Sequence, residues 1–177
     1  MTEEIFIKNI GKIKKLKKKL EKALNASIAV SADKASIESK SEDAISEYFG
    51  LKILEAIDLG FDFDTAMHLK NEDFMLEKIH LKDYARQSRL RAVRGRIIGK
   101  EGSAIRILSQ LSDCSMKISE YDVAVIGRTE DVDVCILALK KLIRGAPHSK
   151  VYAFLERNRA IRQEKLEIDE EILKKIK

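Results

Sequence analysis

An ungapped internal repeat constrains this chain more than its composition does. Ile10-Gly11-Lys12 lies 88 residues before Ile98-Gly99-Lys100. The same shift superposes Leu20 on Leu108, Ser27 on Ser115, Glu42-Asp43 on Glu130-Asp131, Leu51-Lys52 on Leu139-Lys140 and Leu54 on Leu142. A period this long within 177 residues implies two duplicated domains and not a solenoid of short repeats. The copies diverge where the second reads Gly99-Lys100-Glu101-Gly102 and the first reads Gly11-Lys12-Ile13-Lys14. Lysine therefore replaces one glycine, while Ile13, Leu16, Leu20 and Ala23 run through the region as one helical stripe.

The second copy has the clearer pattern. Phe74 to Leu81 reads as a strand, and Leu90, Val93 and Ile97 then fall at helical spacing. After the glycines, Ala104, Ile105, Leu108 and Leu111 continue a second helical face. Met116 and Ile118 alternate with polar neighbours, Glu120-Tyr121-Asp122 turns the chain, and Val123 and Val125 alternate again, which predicts a two-stranded hairpin. A last helix carries Val132, Cys135, Ile136, Leu139 and Leu142. Its start is marked by Thr129 before Glu130-Asp131, as Ser41 precedes Glu42-Asp43 in the first copy: a hydroxyl cap followed by carboxylates in the first turn.

Between the first two helices, Gly99 and Gly102 lack a Cβ, so the chain can turn sharply and another polymer's backbone can lie against its peptide planes. The amides opening the next helix face that space with the positive end of the helix dipole behind them, and Lys100 adds a full charge. Ile97, Ile98 and Ile105 are the expected apolar floor. This order of strand, helix, Gly-x-x-Gly loop, helix, strand, strand, helix resembles the type I KH fold of eukaryotes and archaea, an α+β module with three helices on a three-stranded antiparallel sheet. The resemblance implies a loop that clamps the backbone of about four unpaired nucleotides. Residues 1–72 are then expected to be a degenerate KH domain that does not grip RNA through its loop. Residues 73–161 are expected to be a KH domain with an intact loop, and residues 162–177 a charged helical tail.

Charge supports a polyanionic partner. The net charge is +5, and Arg86, Arg89, Arg91, Arg94, Arg96, Lys100 and Arg106 gather around the loop. Lys14, Lys15, Lys17, Lys18, Lys19 and Lys22 form a second basic set, read either as a solvated helix face or as an auxiliary phosphate-contacting patch. Other chemistries lack their patterns. His68, His80 and His148 have no metal-ligand spacing, no Walker loop or nucleophile elbow is present, and no cofactor is implied. Apolar residues make up 45% of the chain, enough for real cores, yet no run approaches the roughly 18 apolar residues of a membrane span. Cys114 and Cys135 read as free thiols of a reducing cytosol, with a disulfide left open. A cytoplasmic, non-enzymatic protein with no membrane and no small-molecule substrate is expected.

Beyond the second copy, Gly145-Ala146-Pro147-His148-Ser149 ends one helix and starts another, with Ser149 as the expected cap. Val151, Tyr152, Phe154 and Leu155 need a covering surface, as do Phe61, Phe63, Ala66, Met67 and Leu69 after the first copy. Ile161, Leu166, Ile168, Ile172 and Leu173 punctuate the charge-rich end. Gly95 to Gly102, together with Gly145-Ala146-Pro147-His148 and Val151-Tyr152-Ala153-Phe154-Leu155-Glu156, resembles the archaeal two-KH-domain proteins related to the eukaryotic pre-ribosomal factor Partner of Nob. That resemblance implies binding to the 3′ region of small-subunit rRNA during subunit maturation. It also implies links to an rRNA-processing endonuclease and to the alpha subunit of translation initiation factor two. The site residues carried over are Arg96, Ile98, Gly99, Lys100, Glu101, Gly102 and Arg106; Arg94, Ser103, Lys117 and Ile118 complete the expected RNA-binding set, with base edges read by backbone groups of the strand containing Met116 to Ser119. An adaptor whose main partner is protein is the rival expectation, and a nuclease using the acidic residues is a distant third.

Overall fold

The structure, a computed structural model, describes residues 4–31, 33–39 and 44–176. They divide into two compact units, with the boundary between Glu77 and Lys78. The first holds β1 (Glu4–Phe6), α1 (Ile10–Leu24), β2 (Ala26–Val30), β3 (Lys34–Ser39), α2 (Ala44–Asp58) and α3 (Phe63–Met67), followed by a 3-10 turn at His68–Lys70. Its antiparallel sheet has the order β1-β3-β2, with Glu4 opposite Ser36 and Ile28 opposite Ile37. α1 is helical because its apolar residues recur every three or four positions. Ile13 and Leu20 are fully buried with Ile28, Ile37, Ile53, Leu54, Ile57 and Phe61, each contributing about 1.5 to 3 kcal/mol.

The second unit opens on β4 (Phe74–His80), within which the boundary falls, and continues through α4 (Leu90–Ile98), α5 (Ser103–Ser112), β5 (Ser115–Ile118), β6 (Asp122–Arg128), α6 (Thr129–Ile143) and α7 (His148–Ile176). The sheet order β4-β6-β5 reproduces that of the first unit, and Met116 lies opposite Val125 and Ile118 opposite Val123. Val123, Val125 and Met116 are buried on one face of this sheet, and a Cβ built at Gly127 on that face meets Val132 of α6, so this is the face the helices cover. α6 contributes Val132, Cys135, Leu139 and Leu142 to this core, and α7 contributes Val151 and Leu155 while packing on α5 and α6.

The two units match at their helix ends. Asn25 and Asp113, again 88 residues apart, both adopt left-handed backbone, with φ of 49° and 52°. A short polar side chain tolerates that conformation best after glycine, which explains why no glycine is needed to stop α1 or α5. The Asp113 side chain also anchors α7, because its carboxylate pairs with Arg162 and, at 3.5 Å, with Arg159 of that helix. Arg162 pairs in addition with Asp131, buried in the first turn of α6.

Four expectations are corrected. The first unit has no counterpart of α4, since three residues link β1 to α1 where helix α4 intervenes in the second unit. The residue just ahead of α6 is Arg128, in extended backbone and with no side-chain capping bond, and Thr129 is already helical. Ser149 is likewise inside α7, which starts at His148 with the carbonyl of Pro147 accepting from the amides of Lys150 and Val151. Ile97 is wholly buried and belongs to the core. Ser41, Glu42 and Asp43 lie outside the described residues, as do the side chains of Ile172 and Leu173. α7 runs unbroken through Arg162, with Ile161, Leu166 and Ile168 all exposed.

Among the described residues no helix is long and apolar enough to cross a membrane. Cys114 and Cys135 are free and buried; a hydrogen bond shared with Cys114, then burial, pushes the Cys135 thiol well above its usual range.

Candidate nucleic-acid interface

The loop between α4 and α5 consists of Gly99 and a 3-10 turn at Lys100–Gly102, and three of its four residues have positive φ: Gly99 at 73°, Glu101 at 53° and Gly102 at 76°. The two glycines serve different physical needs. Gly99, with ψ of 177°, sits in a region open essentially to glycine, and a Cβ there would stand 2.6 Å from the amide nitrogen and Cβ of Ala104. It lets α5 close onto the end of α4. A Cβ at Gly102 would meet nothing within 4 Å, so this residue turns a bare, open backbone surface outward. The turn is held by the amides of Gly99 and Gly102 donating to the carbonyls of Gly95 and Gly99, at 2.8 and 3.3 Å, and by Arg106 Nη2 donating to the Glu101 carbonyl at 3.2 Å.

Because Gly102 occupies the cap position, no side-chain oxygen caps α5, and the positive end of its dipole opens onto the loop. Lys100 is exposed, and among the described residues it has no partner. Ser103 begins α5 and is also exposed. Half-buried Ile98, Ile105 and Ile118 supply apolar surface on the helix side of the unit. β5 is an edge strand, so one side of its backbone presents N–H and C=O groups with no strand beside them among the described residues. An anion-accepting helix start, free cations, modest apolar surface and an open strand edge together suit an extended polyanion with flat groups to be read.

Residues 75–160 match the family model described as eukaryotic type KH-domain (KH-domain type I). A KH domain-containing protein of Methanocaldococcus jannaschii is 34% identical over 154 residues, 85% of this chain and 68% of that protein. The crystal structure of Dim2p from Pyrococcus horikoshii OT3 superposes with a TM-score of 0.79 at 34% identity, covering 89% of this chain and 99% of that one. This chain belongs to the Pno1/Dim2 family of KH-domain proteins. A second Pyrococcus horikoshii OT3 structure, of an a/eIF2alpha-aDim2p-rRNA complex, gives a TM-score of 0.81 at 33% identity over 90% of this chain and 94% of that one. The pre-rRNA-processing protein pno1 of Emericella nidulans is 29% identical over 112 residues, so the match spans only 43% of that Pno1 protein.

In this Pno1/Dim2 KH unit the predicted site residues do not all converge. Gly99, Lys100, Glu101, Gly102, Ser103 and Arg106 form the loop and the first turn after it, and Arg94 and Ile98 share a flank of α4 that leads into it. Lys117 is set by strand alternation on the other face of the sheet, with Ser115, Ala124 and Ile126. Arg96 points to the opposite flank of α4: its Nη2 donates to the Ala146 carbonyl at 2.7 Å, and its own carbonyl accepts from His148 Nε2 at 2.9 Å. It ties α4 to the corner between α6 and α7.

The sequence did not announce what fills the matching place in the first unit. There the Asp58 carboxylate accepts from the backbone amides of Lys8 and Asn9, at 2.8 and 2.6 Å, just ahead of α1. Lys12, the repeat partner of Lys100, donates its ammonium to the Phe61 carbonyl at 2.6 Å. The helix start is already supplied with an anion and its lysine with an acceptor. Only the recurrence of Gly11-Lys12 88 residues before Gly99-Lys100 marked the spot.

Proposed function

We propose that this protein is a non-catalytic, cytoplasmic, single-stranded RNA-binding factor of small ribosomal subunit assembly, acting on the 3′ region of the rRNA during its maturation. Residues 73–161 serve as the KH domain that holds about four unpaired nucleotides. Residues 1–72 serve as a degenerate KH domain in tandem with it, and residues 162–177 as a charged helical extension. The observation that carries the reading is the open backbone at Gly102 beside an uncapped helix start. Support comes also from relatives: curated Pno1 proteins are named for pre-rRNA processing, and a Dim2p of Pyrococcus horikoshii was crystallised with rRNA and a/eIF2alpha. The alpha subunit of translation initiation factor two and an rRNA-processing endonuclease are the proposed protein partners.

Gly102→Asp tests the site. Left-handed backbone tolerates Asp at a cost of about 1 kcal/mol, so the fold survives, while an anion and a side chain stand where phosphate would lie. Single-stranded RNA affinity should fall at least about fiftyfold at moderate salt, the order expected when a backbone clamp and its charge-assisted contacts are lost. An unchanged affinity overturns the site.

A second reading makes protein docking the main role, and the exposed Ile161, Leu166 and Ile168 on α7 favour it. Deleting residues 163–177, which keeps the Arg162 pairs with Asp113 and Asp131, discriminates: loss of association with pre-ribosomal proteins at unchanged RNA affinity supports the adaptor.

A further inference from the structure

α4 carries two basic flanks, and only one of them leads to the Gly-x-x-Gly loop. Leu90, Val93 and Ile97 form its buried stripe. Arg91, Arg94 and Ile98 lie to one side of that stripe, and Arg89, Ala92 and Arg96 lie to the other at three- and four-residue spacing. The second flank lines a separate cleft of about 560 Å³, bounded by Tyr84 and Arg86 ahead of α4 and by Arg144 after α6. That volume is within the range of small-ligand sites.

Four guanidinium groups line this cleft and no carboxylate does. Among the described residues, none of Arg86, Arg89, Arg96 and Arg144 is paired with an acid, and the Nε of Arg96 has no acceptor at all. Like charges gathered in a concavity repel one another unless an anion joins them. Arginine forks match phosphate oxygens in pairs. Tyr84 is 37% exposed at the same cleft, and its ring gives a base a surface to stack on. The Lys140 ammonium lies 5.9 Å from the centre of the Tyr84 ring, so a base stacking there would be held by the ring with a cation beside it, whereas an acidic peptide would account for the arginines alone.

We propose that this cleft is a second nucleotide site, which holds a phosphate and a stacked base of the strand outside the segment gripped by the Gly-x-x-Gly loop. The proposal rests on the RNA-binding reading above, and it extends the footprint of the KH unit around α4. Its test is the full chain titrated with random single-stranded RNA pools of four and of twelve nucleotides. In the double variant Arg89→Gln, Arg144→Gln the longer pool should bind about tenfold more weakly, and the slope of log affinity against log salt should shrink by about 0.7, the loss of one phosphate contact on a single strand. The tetranucleotide pool should bind within about twofold of wild type, because neither arginine touches the loop groove. Tyr84→Ala should weaken the longer pool by about fivefold or more with no change in salt slope.

Equal losses on both pools, or none on the longer one, overturn the cleft while leaving the loop site standing. So does a poly-glutamate peptide whose binding falls in the double variant while that of the longer RNA does not. A wild-type chain that binds neither pool overturns both readings at once.

Discussion

The start of α1 and the start of α5 occupy matching places in two copies of one sheet topology, and they have been finished in opposite ways. At α5 the cap is Gly102, the neighbouring lysine is free and the backbone is bare. At α1 the protein's own Asp58 supplies the anion, Phe61 supplies an acceptor for Lys12, and the chain that would form a loop is wound into the helix. A helix N-terminus attracts negative charge in either case. What separates a binding site from a structural joint is whether that charge comes from outside or from within. The same topology can therefore be kept for its fold while the place of the proposed ligand site is filled by one carboxylate and one carbonyl and its loop is absorbed into a helix.

The comparison breaks most readily at Gly99. Gly99→Ala forces a Cβ into glycine-only backbone and against the Ala104 amide nitrogen, so unit two should lose about 3 kcal/mol or more. Hydrogen exchange should show the loss in α4 and α5 and spare α1. Full retention of stability would mean that the loop can relax, and the separate roles assigned to the two glycines would fail. A similar loss, about 2 to 3 kcal/mol, is expected for Arg162→Ala, which strands the buried Asp131 carboxylate and leaves Asp113 only its longer pair with Arg159. Exchange should then rise in the middle turns of α7 around position 162. This contrasts with the first unit, where the uncharged Asn25 holds the same helix end with no ion pair among the described residues.

Asp58→Ala sharpens the comparison from the other side. Removing the carboxylate leaves the amides of Lys8 and Asn9 without their acceptor and should cost about 1 to 2 kcal/mol in unit one. It should not create RNA affinity in that unit, because opening the helix start restores neither a Gly-x-x-Gly loop nor the helix before it. A gain of binding that maps to residues 8–14 would show that the internal carboxylate alone had closed the site.

Much of the second unit was legible because its signals are local. Leu90, Val93 and Ile97 repeat at helical spacing, Met116, Ile118, Val123 and Val125 alternate, and glycines stand where φ must be positive, so periodicity and turn chemistry both point to the observed elements. Asp113 ends α5 without a glycine, in left-handed backbone and paired with an arginine. The missing helix of the first unit was not legible, because the repeat begins only at Ile10 and an absent segment leaves no residues to read. Nor was the division of the arginines: seven cations near one loop look like one cluster until the α4 helix sorts Arg89 and Arg96 from Arg91 and Arg94. Asp58 escaped for a third reason, since its partners Lys8 and Asn9 are 50 and 49 residues away and carry no signature of being an anion site.

Gly11 provides the smallest effect and a clean reversal of sign. It is the repeat partner of Gly99, yet it lies within α1, without positive φ, and a Cβ there meets nothing within 4 Å. Alanine at that position should therefore stiffen the unfolded chain and favour the helix, stabilising unit one by about 0.5 kcal/mol. For a unit of this size that is a rise of about 2 to 4 °C in Tm. Opposite signs for Gly11→Ala and Gly99→Ala follow directly if a loop has been absorbed into a helix in one copy and retained in the other. Destabilisation at both positions would instead mean that the first copy still needs a glycine turn at Gly11, and that its helix start is a disguised version of the second and not its closed counterpart.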